Sequence, residues 1–367
     1  MAEEKMLSDS AERELIRQQY RVIGNHSAVK ICGWTKHLLK GEGGCYKLSF
    51  YGINSHRCLQ MTSSISCANR CIFCWRGYKA PVATSWKWAV DDPESIVEGS
   101  LHAQKKLLEG FGGNDAVNGH AFEESKTVRH VALSLTGEPI MYPRINELLK
   151  EFDKRRISTF LVTNGQYPES IERLAPVTQL YLSMDAVDET MAKDIGKPLF
   201  SDHWQRFKRS LDAIANTRER TAVRITVIRH LNDNHHKGFA RLLKQADPDF
   251  IEVKGYMHVG ESQGRLSRNN MPFHEEIRTF STRLGALLEN YDVVTDHEPS
   301  RVVLLAKKTF KQEGKWMTWI DFEKWFSLLE AGKRPSANEY HAPLQTGFKG
   351  ILANTGIKKS RQPNQEL

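Results

Sequence analysis

The sequence predicts an α/β fold, an open and partial (β/α)6 TIM-like barrel, and three observations carry that expectation. Short apolar runs of strand length alternate with longer amphipathic segments over most of the 367 residues, the order that lays parallel strands beneath helices. Six strand–helix units follow one another, too few to close an eight-stranded barrel and enough for an open one. Polar residues break the pattern where the apolar runs stop, and ligand sites of parallel sheets gather at the carboxyl ends of strands.

Taken in order, SAERELIRQQYRVI reads as a leading helix, and the glycine-rich stretch from Ala28 to Arg57 as loop and short strand. CLQMTSSIS is the first barrel strand, expected to end directly at Cys67. DDPESIVEGSLHAQKKLLEG is a helix. Asp92 caps it, Pro93 takes the first helical position, Ile96, Val97, Leu101, Leu107 and Leu108 share a face, and Gly110 stops it. VRHVALSL, ISTFLVTN, VTQLYLSMD, TAVRITVIR and DFIEVKG supply the other strands, being short and rich in branched residues. YPRINELLKEFDK, FSDHWQRFKRSLDAIAN and HHKGFARLLKQA supply helices between them. The strand ends carry Thr136-Gly137-Glu138-Pro139, Thr163-Asn164-Gly165-Gln166, Ser183-Met184-Asp185 and Lys254-Gly255. The expected organisation is an N-terminal helix and cysteine-bearing segment (1–58), a barrel core (59–290) and a C-terminal extension (291–367) with a basic, poorly ordered tail.

Hydrophobic residues make up 40% of the chain and charged ones 26%, and no apolar run reaches the roughly 20 residues that a membrane helix needs. The charged start MAEEKMLSDSAERELIR lacks the apolar core of a secretory signal. A cytoplasmic setting is therefore expected, where thiols stay reduced and cysteines serve metals more often than disulfides. A formal net charge of +8, with basic clusters at KEFDKRR, RFKR and the tail KGILANTGIKKSRQPNQEL, lowers the cost of approaching a polyanion.

The six cysteines fall into two triplets, Cys67, Cys71, Cys74 and Cys32, Cys45, Cys58. The first has the spacing C-x3-C-x2-C in one tight loop. Three sulfurs so placed cap three irons of a cubane and leave one iron open for chemistry. The second triplet is spaced by twelve intervening residues twice. It fits a zinc site completed by His37 or His56, or a second cubane with three protein ligands.

C-x3-C-x2-C with Phe73 before the third cysteine resembles the signature of the radical S-adenosylmethionine superfamily. The resemblance implies a partial (β/α)6 barrel and a 4Fe-4S cluster on Cys67, Cys71 and Cys74. In that superfamily the open iron chelates S-adenosyl-L-methionine, and one-electron reduction releases a 5′-deoxyadenosyl radical. Thr136-Gly137-Glu138-Pro139 is similar to the superfamily's GGEP motif, which meets the cofactor's amino group, with Thr136 in place of the first glycine. Asn164, Ser183 and Asp185 stand where strand-end groups would meet the cofactor's carboxylate and ribose.

The resemblance narrows further. SCANRCIFCWRGYKAPVATSWKWAVDDPESI, LSLTGEPIMYPRINELL, FLVTNGQYPESIERL, PVTQLYLSMDA, PDFIEVKGYMHVGES and KWMTWIDF are similar to the tRNA 4-demethylwyosine synthase family, from about Ala28 to Asp321. It implies a lyase-type enzyme that condenses N1-methylguanosine at position 37 of phenylalanine tRNA with pyruvate, closing the third ring of the wyosine precursor. The form resembled is the compact archaeal one without a flavodoxin-like domain, a monomer fed by an external electron donor. The family places a second 4Fe-4S cluster on Cys32, Cys45 and Cys58, and Lys47 matches a lysine proposed to hold pyruvate as a Schiff base. Trp75-Arg76, Trp86-Lys87-Trp88 and the Lys315–Trp319 stretch interleave cations with indoles, the composition that grips an anticodon loop. Two rivals stand beside this reading: a radical enzyme acting on a peptide or small metabolite, and a non-catalytic zinc-dependent RNA-binding protein.

Overall fold

A computed structural model describes residues 5–77 and 80–345; the basic tail lies outside the described residues. The chain opens with α1 (Asp9–Arg17), β1 (Arg21–Ile23), β2 (Ser27–Val29), α2 (Gly33–Leu39) and α3 (Tyr46–Tyr51). The barrel units follow as β3 (Cys58–Thr62), α4 (Pro93–Leu108), α5 (Gly119–Ser125), β4 (His130–Leu133), α6 (Ile145–Lys154), β5 (Ser158–Thr163) and α7 (Pro168–Glu172). They continue through β6 (Gln179–Ser183), α8 (Glu189–Gly196), α9 (His203–Asn216), β7 (Thr221–Val227), α10 (His236–Ala246), β8 (Phe250–Gly255) and α11 (His274–Gly285). After β9 (Tyr291–His297) and β10 (Val302–Lys307) come short strands and α12 (Phe322–Glu330).

One sheet organises the molecule. Its ten strands run in the order β1-β2-β3-β4-β5-β6-β7-β8-β10-β9. Neighbours from β3 to β8 are parallel, as the alternating pattern requires, and the added strands at both edges are antiparallel. The six parallel strands are the partial barrel. Cys58 opens β3, and the chain beyond 290 returns to the same sheet.

The strongly periodic helix is where the sequence places it. Asp92 caps α4, its carboxylate accepting from the backbone N–H of Glu94 (3.0 Å) and Ser95 (3.2 Å). Three expectations need correction. The leading helix stops at Arg17, and residues 21–23 become a strand. The stretch expected as loop holds α2 and α3. The first barrel strand ends at Thr62 rather than at Cys67, because the serines that follow bond back onto the loop; the Thr62 hydroxyl donates to the Ser64 carbonyl (2.8 Å).

Apolar residues on one face of the strands pack under α4, α6, α9, α10 and α11. The other face is filled from the N-terminal segment. α3 inserts Tyr46, Phe50 and Tyr51 among Phe160, Tyr181 and Phe250, and burying each such ring contributes about 2–3 kcal/mol. From the C-terminal side, the Thr318 hydroxyl donates to the Phe50 carbonyl (2.8 Å) and the Trp319 indole N–H to the Ser49 carbonyl (2.9 Å). These bonds hold the plug in place. Among the described residues no helix is long and apolar enough to cross a membrane.

One carboxyl at the amino-terminal end of the sheet sets a pH dependence. Burial and nearby Glu219 push Asp153 up to about 8, and its Oδ1 has no hydrogen-bond partner. The folded chain therefore keeps a proton that the unfolded chain releases near about 3.9, so stability falls as pH rises between those values. Asp153→Asn should flatten that slope, raising stability at pH 8.5 by roughly 3–5 kcal/mol and leaving it little changed at pH 4. Thermal melts at the two pH values check this; equal gains at both would refute it.

Candidate active site

The predicted strand-end residues meet in one cavity. A space of about 270 Å³ at the carboxyl ends of the strands is lined by Cys67, Cys71, Cys74, Thr136, Gly137, Glu138, Pro139, Asn164, Ser183 and Asp185. The cysteine loop reaches over it and is tied down along its length. Arg70 N–H donates to the Gly196 carbonyl (3.0 Å), Ile72 N–H to Ile195 (2.9 Å), and Leu199 N–H to Ala68 (2.8 Å). From the other side, Glu138 N–H donates to the Ser66 carbonyl (2.8 Å). Gly137 makes that approach feasible. Its φ is +69°, and a Cβ there would lie 1.9 Å from the Ser64 carbonyl oxygen.

Glu138 is the acid of the cavity. Its Oε2 accepts the Asn164 backbone N–H (3.0 Å), while buried Oε1 has no partner, and burial raises its carboxyl to about 7. The Thr136 hydroxyl is likewise buried and unpartnered. The Asn164 side-chain amide donates toward Cys67 Sγ (3.4 Å). Asp185 accepts from the Thr226 backbone N–H (2.9 Å), with its carboxyl raised to about 6 by burial. Two unsatisfied acceptors beside three thiols suit a ligand carrying an ammonium and hydroxyls.

The cysteines fit a cluster. None is in a disulfide, and burial, with neighbouring thiols adding to it, pushes Cys58 up to about 12 and Cys67 up to about 11. Soft donors this buried bind metal by losing their protons to it. Among the described residues no three His, Cys, Asp or Glu side chains converge as they would on a single ion. Each histidine offered as the completing zinc ligand has one ring nitrogen on a carboxylate, His37 Nδ1 on Glu42 (2.6 Å) and His56 Nε2 on Glu124 (2.9 Å), and His56 Nδ1 stays buried without a partner.

The second triplet lies beneath, inside the sheet. Cys32 and Cys45 stand at the starts of α2 and α3, Cys58 opens β3, and Ser55 Oγ donates to Cys45 Sγ (3.2 Å). Lys47, on the first turn of α3, places its ammonium 4.6 Å from the Tyr181 ring centroid and 5.6 Å from that of Phe160. Its ammonium makes no hydrogen bond or ion pair among the described residues. Burial first, then the Arg224 charge, lowers its pKa.

The sequence reading missed the residues that frame this lysine. Arg224 of β7 donates through Nε to Glu252 of β8 (3.0 Å) and through Nη2 to the Tyr46 hydroxyl (2.8 Å), and the Tyr51 hydroxyl donates to the other Glu252 oxygen (2.9 Å). A charge in the middle of each apolar run, Arg224 in TAVRITVIR and Glu252 in DFIEVKG, was the available signal. The tryptophans divide. Trp88 is buried edge-on to Trp86, and Trp319 closes over Ser49, so these serve packing. Trp75 instead lines the cavity, stacked on Tyr20 with Lys30 over both rings.

Comparison with known proteins agrees with this arrangement. The Radical SAM superfamily matches residues 61–243, and the Wyosine base formation family matches residues 245–307. The S-adenosyl-L-methionine-dependent tRNA 4-demethylwyosine synthase TYW1 of Xenopus laevis is 47% identical over 328 residues, 89% of this chain and 45% of that protein. The Arabidopsis thaliana synthase is 44% identical over 92% of this chain and 53% of its own length. The chain thus spans about half the length of the curated relatives it matches. Two solved structures match over almost their whole length. TYW1 with a lysine-pyruvate adduct bound is 37% identical with a TM-score of 0.75, covering 83% of this chain and 97% of that one. Archaeal TYW1 is 34% identical with a TM-score of 0.69, covering 84% and 99%.

Proposed function

The chain belongs to the tRNA 4-demethylwyosine synthase family of radical S-adenosylmethionine enzymes, and from that premise we propose that it condenses N1-methylguanosine at position 37 of phenylalanine tRNA with pyruvate. The observation that carries the reading is the stacking of two cysteine sites within one sheet, with an unpaired lysine beside the lower one. When bound to its reduced 4Fe-4S cluster, S-adenosylmethionine supplies the radical that removes hydrogen from the guanosine N1-methyl group.

Cys67, Cys71 and Cys74 hold that cluster; Glu138 Oε1 and the Thr136 hydroxyl, both unpartnered, receive the cofactor's ammonium and polar groups. Asn164, Ser183 and Asp185 complete the polar wall. Cys32, Cys45 and Cys58 hold the second cluster, giving about eight irons per chain. Lys47 attacks the pyruvate keto carbon, and burial favours the neutral amine that attack requires. Arg224 and Glu252 fix the shape of the chamber through Tyr46 and Tyr51. The target base leaves its stack to reach the cavity. Electrons come from an external donor, and the enzyme acts as a cytoplasmic monomer.

The deciding experiment incubates reduced, reconstituted enzyme with S-adenosylmethionine, pyruvate and N1-methylguanosine-containing tRNA, followed by nucleoside mass analysis. The tricyclic base is expected. A fully loaded enzyme that cleaves S-adenosylmethionine yet yields none, or one that turns over a free nucleoside or peptide equally well, overturns the assignment. Gly137→Ala tests the cavity wall. Its methyl group would collide with the Ser64 carbonyl, so cofactor affinity should fall at least roughly tenfold, the scale of about 1.4 kcal/mol. Equilibrium binding reads it directly, and wild-type affinity would show that the loop tolerates the shift.

A further inference from the structure

The segment after β8 lies within the match to Wyosine base formation, while the cysteine loop lies within the match to the general superfamily. The two are joined by one side chain. Arg265 Nε donates to the Ile72 carbonyl (3.0 Å), and its Nη2 donates to the carbonyls of Cys74 and of Arg76, the last at 3.2 Å. The backbone reinforces the contact. Glu261 N–H donates to the Trp75 carbonyl (3.0 Å), and Gly260, at φ +56°, passes so close that a Cβ would stand 2.6 Å from that oxygen. The turn is itself braced. The Tyr256 hydroxyl bonds Ser262 Oγ (2.9 Å), and His258 Nε2 meets the Leu266 carbonyl (3.0 Å).

Peptide planarity turns this clamp into a statement about donors. In a trans peptide the C=O of one residue and the N–H of the next point in opposite directions. Carbonyls 72, 74 and 76 face one guanidinium, so the N–H groups of Phe73, Trp75 and Gly77 face away from it. None of those three has an acceptor among the described residues. Backbone donors are seldom left unpaired when partly buried, and hydrogen bonds to cluster sulfur are one of the levers that set a cluster's potential.

We propose that Arg265 is a positioning residue that turns the peptides after Cys71 so that the N–H groups of Phe73, Trp75 and Gly77 are presented to the sulfurs of the cluster, raising its reduction potential. The inference rests on the reading that Cys67, Cys71 and Cys74 hold that cluster. It assigns the wyosine-forming segment a part in tuning the superfamily's shared centre.

The test uses full-length, reconstituted wild type, Arg265→Met and Arg265→Lys. Each is titrated by spectroelectrochemistry while following the paramagnetic signal that S-adenosylmethionine perturbs. Arg265→Met is expected to bind wild-type iron and to be reduced with a tenfold less favourable equilibrium, 59 mV for one electron. Arg265→Lys keeps the charge but not the planar fork, so it should show at least half of that shift. A lysine variant at the wild-type potential means that charge alone matters and overturns the proposal, as does an unshifted methionine variant. Should the methionine variant lose its iron, the lysine variant decides by the same criterion. Wild type without iron would instead remove the cluster reading itself.

Discussion

Replacing Lys47 by arginine is expected to lower formation of the tricyclic base by roughly three orders of magnitude, the scale on which loss of a chemically engaged group is read in kinetics. Both clusters should stay loaded and S-adenosylmethionine should still be cleaved. Arginine keeps the charge and nearly the length, so the contacts with the Tyr181 and Phe160 rings can be retained. It cannot lose its proton in a protein and so cannot attack a carbonyl. The lysine is suited to that attack because burial, reinforced by Arg224, lowers its pKa. Nucleoside mass analysis, 5′-deoxyadenosine release and iron content, measured on one preparation, separate the outcomes. An arginine variant that keeps more than about a tenth of the product would sink the nucleophilic role.

The second large effect separates the two cysteine sites. Cys71→Ala should lose about four of about eight irons, along with all S-adenosylmethionine cleavage. Cys45→Ala should lose the other half of the iron and all product, yet still cleave S-adenosylmethionine. The contrast follows from placement. Cys71 lines the cavity with Glu138 and Asp185, whereas Cys45 sits inside the sheet at the start of α3, two residues from Lys47. A Cys45 variant that stops cleavage as well would mean that the two centres are not independent, and an unchanged iron content would remove the second cluster.

What the sequence disclosed is what local spacing encodes. The parallel strands, α4 with its Asp92 cap, the cysteine loop and the TGEP, TNGQ and SMD strand ends all announce themselves within a few residues. The chamber around Lys47 does not. Arg224 and Glu252 are paired because the register of β7 and β8 sets them opposite each other, and nothing within either run shows that register. α2 and α3 were hidden for another reason. They are seven and six residues long and separated by a stretch holding Gly41, Gly43 and Gly44, too short to be helical on propensity alone. α3 owes its form to the pocket that Tyr46, Phe50 and Tyr51 enter, and α2 to the cluster in which Leu38 and Leu39 meet Leu48, Leu108 and Ala121. Strands β1 and β2, three residues each, are likewise products of the edge they extend.

The plug formed by α3 also sets the order in which the enzyme becomes competent. Tyr51 bonds Glu252 across 201 residues, Tyr46 meets Arg224 across 178, and Phe50 receives Thr318 across 268. Contacts so distant in sequence close only after the intervening strands exist, which makes them late and slow to form. During synthesis the segment bearing Lys47 emerges first and must wait, unpartnered, until β7 and β8 have been made and the stretch around Thr318 has followed. Until then Lys47 cannot be framed by Arg224, Glu252 and Tyr46. Closure of the lower chamber thus comes late in folding, and on the proposed function it is the last step before the enzyme can act.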